Sequence, residues 1–164
     1  MPHRPAVERV TPPQAPYQVV NRVMRWLLSS PRRSRRMGEH LLLLHLTGRT
    51  SGRPLDVPVA YRPGGEGRLL VLTNSRWRIN LRGRPDVEAT LRGSRRPAVA
   101  ELVEDPDAVA EAYARIIDEV GYKKAGRRMG IRINLDRTPT HGELVEAARR
   151  DGLSLVYLDV QDPA

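Results

Sequence analysis

Between Thr47 and Arg53 the chain reads Thr-Gly-Arg-Thr-Ser-Gly-Arg. Gly48 and Gly52 admit a tight turn, Thr50 and Ser51 supply hydroxyls, and Arg49 and Arg53 bring cations to both sides. Successive backbone N–H groups in such a turn can form an anion-binding concavity. An arginine adds a planar fork of donors that matches phosphate. The glycine–lysine–serine order of a Walker A loop is missing. From residue chemistry alone two readings stand: a phosphate site, and a solvated turn in an arginine-rich chain.

A second cluster lies just beyond, where Trp77 sits among Arg76, Arg78 and Asn80 after the Thr73-Asn74 pair. A tryptophan there stacks on a planar ligand or closes the mouth of a barrel. Tyr61, Tyr113 and Tyr122 are phenols able to give a proton to a reduced substrate, with core or surface packing as the plainer reading of each. The histidines at 3, 40, 45 and 141 fall in no metal motif. His45 and Ser51 lack both a nucleophile elbow and a third partner, so zinc and serine-hydrolase chemistry are set aside. With no cysteine in the chain, thiolate–zinc, iron–sulfur and redox-dithiol chemistry are excluded.

Charge is distributed unevenly. Residues 1–40 carry eight arginines against two acids, and residues 41–97 carry eleven against four. Residues 98–164 carry thirteen acids against nine basic residues. A basic first half implies an electropositive face that attracts an anionic cofactor, nucleic acid or anionic lipid. Nucleic acid is disfavoured, because aromatics are 4% of the chain and phenylalanine is absent.

These residues need elements to position them. At 164 residues the chain is sized for one domain. Residues 1–16, with five prolines, read as a disordered arm, and 17–164 as a single domain. Tyr17, Val20, Met24, Leu27 and Leu28 share one face of a helix from Tyr17 to Ser29, followed by the basic run Arg32–Arg36. The apolar run 41–46 reads as a buried strand, and 55–61 as an edge or bulged strand because it holds Pro58. Residues 55–73 read as an antiparallel hairpin around Gly64-Gly65-Glu66-Gly67. Further strands are expected at 87–91, 97–103 and 153–160, the last apolar on both faces and so central. A helical turn is expected at 77–81, a helix from Asp105-Pro106 to Val120, and a short one behind the Thr140–Glu143 capping-box spacing. Residues 123–139 read as irregular with one strand near Ile131–Leu135. Short strands joined as a meander, with peripheral helices and no GxGxxG, predict a mainly β fold built as a small barrel.

The run Leu42–Val59, LLLHLTGRTSGRPLDVPV, resembles the opening segment of the deazaflavin (F420)-dependent nitroreductase and quinone reductase family. So does the order Asn74, Trp77, Asn80-Leu81, Arg84-Pro85-Asp86-Val87, and the two patches span about residues 40–104. The resemblance implies a split β-barrel, F420 as cofactor with FMN as second choice, and hydride transfer to a quinone, a nitroaromatic or an activated double bond. It implies cofactor contacts at Gly48, Arg49, Thr50, Ser51, Gly52, Arg53, Pro58, Asn74, Trp77 and Asn80. It makes Tyr122 the candidate proton donor, with Tyr61 behind it. Thr50 and Leu55 stand where the family commonly has basic residues, which leaves two alternatives: Arg53 takes over part of the phosphate contact, or the cofactor is a different one.

The reading from another class is a non-catalytic carrier of a flavin, deazaflavin or haem in the same barrel. Expected partners are a small-molecule electron acceptor and a second copy of the chain. The sequence places the protein in the cytoplasm, with the Tyr17–Arg36 segment either packed on the barrel or resting on an anionic membrane surface.

Overall fold

The computed structural model describes residues 2–10, 22, 26, 30, 32 and 40–162. Apart from residues 22, 26 and 32, the helix expected at Tyr17–Ser29 and the basic run behind it lie outside the described residues. Two compact units emerge. One comprises 1–11, 72–75 and 103–155, the other 12–71, 76–102 and 156–164.

The second unit is built on a seven-stranded sheet. Its strands are β2 (Leu41–Thr47), β3 (Pro54–Ala60), β4 (Arg62–Pro63), β5 (Leu69–Thr73), β6 (Asp86–Leu91), β7 (Ser94–Val103) and β9 (Ser154–Val160), with a 3-10 helix at Arg76–Leu81. The order across the sheet is β3-β2-β6-β7-β9-β5-β4. Its two end strands, β3 and β4, are consecutive in the chain and separated by Tyr61 alone. One residue spans only about 3.3–3.6 Å, so the ends of the sheet cannot lie apart and the sheet must curl into a barrel. The mainly β, split-barrel expectation holds.

Alternation along the strands fills the interior. Leu42, Leu44 and Leu46 of β2 meet Val57 and Val59 of β3, Ala89 of β6, Ala98 and Ala100 of β7 and Val156 and Leu158 of β9 in one buried cluster. β9 lies between β7 and β5, which explains its apolar middle on both faces. β3 has β2 as its single neighbour, in the register Leu43↔Pro58 and Thr47↔Pro54. An edge tolerates the N–H that proline lacks. β6 and β7 turn on Arg92 and Gly93, both at positive φ (50° and 80°), between the paired Leu91 and Ser94. That is the two-residue hairpin turn whose twist matches its strands.

The hairpin expected over 55–73 is corrected. β3 pairs with β2, and only Arg62↔Leu70 and Pro63↔Leu69 join the return strand. The chain bends at Tyr61, whose amide donates to the His40 carbonyl at 2.9 Å. Alternation in sequence shows a strand but not which neighbour it takes.

The other unit contains α1 (Pro106–Val120), α2 (Tyr122–Met129), α3 (His141–Asp151) and a small sheet of β1 (Val7–Arg9) with β8 (Ile131–Ile133). Asp105 caps α1 by accepting from the Ala108 amide at 3.0 Å, and Gly121 ends it. Of residues 123–139, expected to be irregular, 123–129 belong to α2. Gly130 closes α2 in the left-handed conformation, and Ala125 and Met129 are its buried residues. A Cβ at Gly126 would stand 2.8 Å from the Ile131 carbonyl oxygen, so glycine is what lets α2 lie against β8. Nor does the expected disordered arm hold at 7–9. Val7–Arg9 pairs with Ile133–Ile131, Val7 is 1% exposed, and the Arg9 amide donates to Asp151 Oδ2 at 2.9 Å. Tyr113, considered above as a proton donor, is a core residue of α1 whose burial pushes its phenol pKa up.

The capping box at Thr140 is complete: its hydroxyl accepts from the Glu143 amide, and Glu143 accepts from the Thr140 amide. Glu143 also takes a forked pair of hydrogen bonds from Arg137 at 2.8 and 2.9 Å. Arg137 first, then the Thr140 amide, pull its carboxyl down to about 2 from an ordinary 4.5. A carboxyl depressed in the folded state adds stability that is complete above its unfolded pKa and is lost as pH falls through the folded one. The Tm gap between the wild type and Glu143→Gln should therefore be constant at neutral pH and narrow progressively below pH 4.5, towards about 2. Thermal melts across that range measure it; a gap independent of pH would assign the effect to the cap's neutral hydrogen bonds.

Candidate functional site

The turn Gly48–Arg53 closes the β2–β3 hairpin beyond the last pair, Thr47↔Pro54. It is held by its own backbone. The Gly48 amide donates to the Arg53 carbonyl at 2.8 Å, and the Gly52 amide to the Gly48 carbonyl at 2.9 Å. The Arg53 amide donates to Ser51 Oγ at 3.2 Å. Gly52 has φ +66°, and a Cβ at Gly48 would collide with Ser51 Oγ. Gly52 is thus required by its left-handed backbone, whereas a Cβ at Gly48 would displace the Ser51 hydroxyl from the Arg53 amide.

The 3-10 helix Arg76–Leu81 is tied to this turn through one side chain. Asn80 Oδ1 accepts from the Arg49 amide at 2.8 Å, while its Nδ2 donates to the Trp77 carbonyl at 2.9 Å. The Arg49 guanidinium adds a 3.3 Å hydrogen bond to the Arg82 carbonyl. The consequence is electrostatic. Residues 47–53 and 74–85 hold Arg49, Arg53, Arg76, Arg78, Arg82 and Arg84, and no acid. Such an array raises the local concentration of anions.

The anion-binding concavity read from the sequence is smaller than expected. The amides of Gly48, Arg49, Gly52 and Arg53 are all engaged within the turn or by Asn80. Two consecutive N–H groups remain, at Thr50 and Ser51, on exposed residues. Arg49 keeps most of its five donors. Trp77 is half-buried and packs against the barrel cluster, as does Tyr61. Pro58 is paired with Leu43 lower down the β2–β3 ladder, on the face of β3 opposite Val57 and Val59. Asn74 and Tyr122 belong to the other unit. The Tyr122 hydroxyl donates to the Asp136 carbonyl at 2.9 Å, so its proton already has an acceptor.

The structure also assembles a group that the sequence left scattered. His45 projects from β2 with Nδ1 2.7 Å from Asp56 Oδ1 and Nε2 2.7 Å from Thr90 Oγ1. Asp56 is its cross-strand partner on β3, and Thr90 stands on β6, so one imidazole ties three strands. With Thr90 8% exposed, the hydroxyl is a packed strut rather than a nucleophile. The third partner sought for His45 was thus a cross-strand neighbour eleven residues on, visible only once register is known.

The model of one protein family, described as F420H(2)-dependent quinone reductase, matches residues 22–136. No curated protein matches the sequence. Among solved structures, an "F420 Reductase" aligns at 16% identity over 84% of this chain and 93% of its own, with a TM-score of 0.43. An "F420-H2 Dependent Reductase (FDR-A)" aligns at 14% over 73% and 93%, TM-score 0.41. A pyridoxamine 5'-phosphate oxidase-related, FMN binding protein from Nostoc punctiforme PCC 73102 aligns at 14% over 92% and 83%, TM-score 0.45.

Asn80 is the test of how the turn is held. Asn80→Ala removes the acceptor for the Arg49 amide and the donor to Trp77, and should lower stability by about 1–2 kcal/mol. Urea unfolding measures the loss, and amide exchange should show faster opening at Arg49. A change below about 0.3 kcal/mol, with unchanged exchange, would mean that water replaces the side chain at no cost.

Proposed function

The chain belongs to the F420H(2)-dependent quinone reductase family and is an F420-dependent reductase, and on that premise we propose that the turn Gly48–Arg53 holds the cofactor phosphate and that a quinone is the electron acceptor. The observation that carries the first part is the six arginines without an acid along 47–53 and 74–85, drawn together by Asn80. The fit is chemical as well as electrostatic. Exposed amides at Thr50 and Ser51, the Ser51 hydroxyl and the Arg49 fork form a donor set that suits a phosphate and offers nothing to a cation. Arg53, also exposed, supplies the cation that Thr50 and Leu55 do not.

When bound, the reduced deazaflavin supplies the hydride. The protein's own part is to anchor, orient and exclude water. Arg49 is directed by its hydrogen bond to the Arg82 carbonyl, so its remaining donors are presented with little rotamer freedom left to lose. Trp77, tied through its carbonyl to Asn80, is the aromatic residue proposed to border the cofactor. Tyr122 and Tyr61 are the two phenols considered for delivering a proton to the reduced acceptor, and the Tyr122 hydroxyl would first have to leave the Asp136 carbonyl. A nitroaromatic or an activated double bond is a second acceptor class that the same hydride chemistry serves. A purely carrier role is set aside by the family.

Arg49→Ala should raise the dissociation constant for F420 about tenfold to a few hundredfold, from the loss of a charge-assisted contact worth about 1.5–3 kcal/mol. It should leave affinity for a deazaflavin truncated before the phosphate unchanged. Cofactor fluorescence titration reads both. Equal weakening of the two forms, or of neither, would remove the phosphate from this turn. Steady-state rates with a quinone, a nitroaromatic and an enone then rank the acceptors; a quinone ranked last would overturn the acceptor assignment.

A further inference from the structure

The unit that contains α2 and β8 has a cavity of about 590 Å³ of its own. Ile133 and Leu135, both half-buried, give it an apolar side, and Lys123 and Arg127 of α2 a charged one. The size lies in the range of small-molecule sites.

The charge on α2 is what needs an explanation. Its eight residues, Tyr-Lys-Lys-Ala-Gly-Arg-Arg-Met, include four cations and no acid. Lys123 and Lys124 stand in its first turn, at the positive end of the helix dipole, where cations are unfavourable. Lys123 and Arg127 are also like charges at i and i+4, which repel. Three other cations of this unit are paired: Arg137 with Glu143, Arg150 with Asp151, and Arg132, which also lines the cavity, with Glu8 at 3.4 Å. Among the described residues Lys123 and Arg127 have no such partner. They face the cavity together, spaced by one helical turn, about 5–6 Å between their Cβ atoms. Gly126 lies between them on the same face and lets α2 approach the Ile131 carbonyl, which fixes the cations over the apolar side of the cavity. One acid, Asp136, also lines the cavity, and it is outnumbered there by Lys123, Arg127 and Arg132.

We propose that this cavity is a binding site for an organic dianion with a flat apolar body, its two negative groups set on Lys123 and Arg127 and its body against Ile133 and Leu135. The site goes beyond the cofactor reading, which concerns residues of the other unit. Two sources could offer paired negative charge here: a separate small dianion, and the glutamyl tail of a deazaflavin. Only the first also has an apolar body, and the apolar side selects it.

Naphthalene-2,6-dicarboxylate serves as the probe, followed by its fluorescence on titration with the full chain. It should bind at least about tenfold more tightly than 2-naphthoate, which has one charge. Lys123→Gln and Arg127→Gln should each weaken it about five- to twentyfold. Lys124→Gln and Arg128→Gln, on the same helix but not lining the cavity, should leave it unchanged. A γ-linked tetraglutamate at equal concentration should fail to displace the probe. The proposal is overturned if the wild type does not bind the probe, or if 2-naphthoate binds as tightly. It also fails if all four variants weaken binding alike, which would describe a diffuse basic surface. Displacement by tetraglutamate, or equally by a short single-stranded oligonucleotide, would overturn it too, since the site would then read charge alone. Because the probe needs no cofactor and no turnover, failure here leaves the phosphate turn untouched.

Discussion

The two ends of the sheet are joined by one residue. β3 stops at Ala60, β4 begins at Arg62, and these strands are the outermost members of a seven-stranded order. An open sheet cannot satisfy that connection, so curvature is imposed by covalent geometry before any side chain packs. Packing then makes the curve favourable. A closed interior needs large residues on some strands and small ones on others, because the walls converge. β2 contributes Leu42, Leu44 and Leu46, while β6 and β7 contribute Ala89, Ala98 and Ala100. The outer face of β2 is fastened separately by His45 between Asp56 and Thr90, a polar strut across three strands.

From this frame follows the placement of the basic turn. The β2–β3 hairpin is in register from Leu41↔Ala60 to Thr47↔Pro54, so its turn emerges at a fixed end of the ladder. Asn80 then brings up the 3-10 segment, with its own arginines. Gathering like charges opposes folding, and the opposition is tolerable here because most of these guanidinium groups lie at the surface, where water screens them. Binding an anion would relieve the repulsion, so the arrangement that slightly weakens the free protein favours the liganded one.

Much of this was legible in the sequence, and the parts that were not share a cause. Periodicity found β2, β6, β7 and β9, and chemistry found the capped ends of α1 and α3, because each signal is local. Thr140 and Glu143 signal a helix start through contacts three residues apart. The family resemblance in 42–59 rested on a turn whose Gly52 is required by its left-handed backbone. Pairing was different. The run 55–61 alternates equally well whichever strand it joins, so its partner β2 had to be seen. α2 escaped because three glycines at 121, 126 and 130 and a crowd of cations hide an eight-residue helix that is stabilised by packing Ala125 and Met129. β1 escaped for a similar reason: a three-residue strand in a proline-rich stretch exists only through its partner at 131–133. His45, Asp56 and Thr90 lie at separations of 11 and 45 residues, and no spacing rule joins them.

The hydrogen bonding inside the basic turn alters what kind of anion site it can be. A concavity of free N–H groups binds by wrapping the ligand, and it is loose until the ligand arrives. Here four of the six turn amides are already satisfied internally or by Asn80. The turn is therefore ordered in advance, at the expense of donors. What it presents is a short backbone edge at Thr50 and Ser51 with an arginine on each side, one of them held by a carbonyl on the 3-10 segment. Such a site gains affinity less from the number of contacts than from the entropy that binding no longer has to remove. It also separates two roles that the sequence merged. Gly48, Gly52 and Asn80 shape the turn, whereas Arg49, Arg53, Thr50 and Ser51 remain available to a ligand.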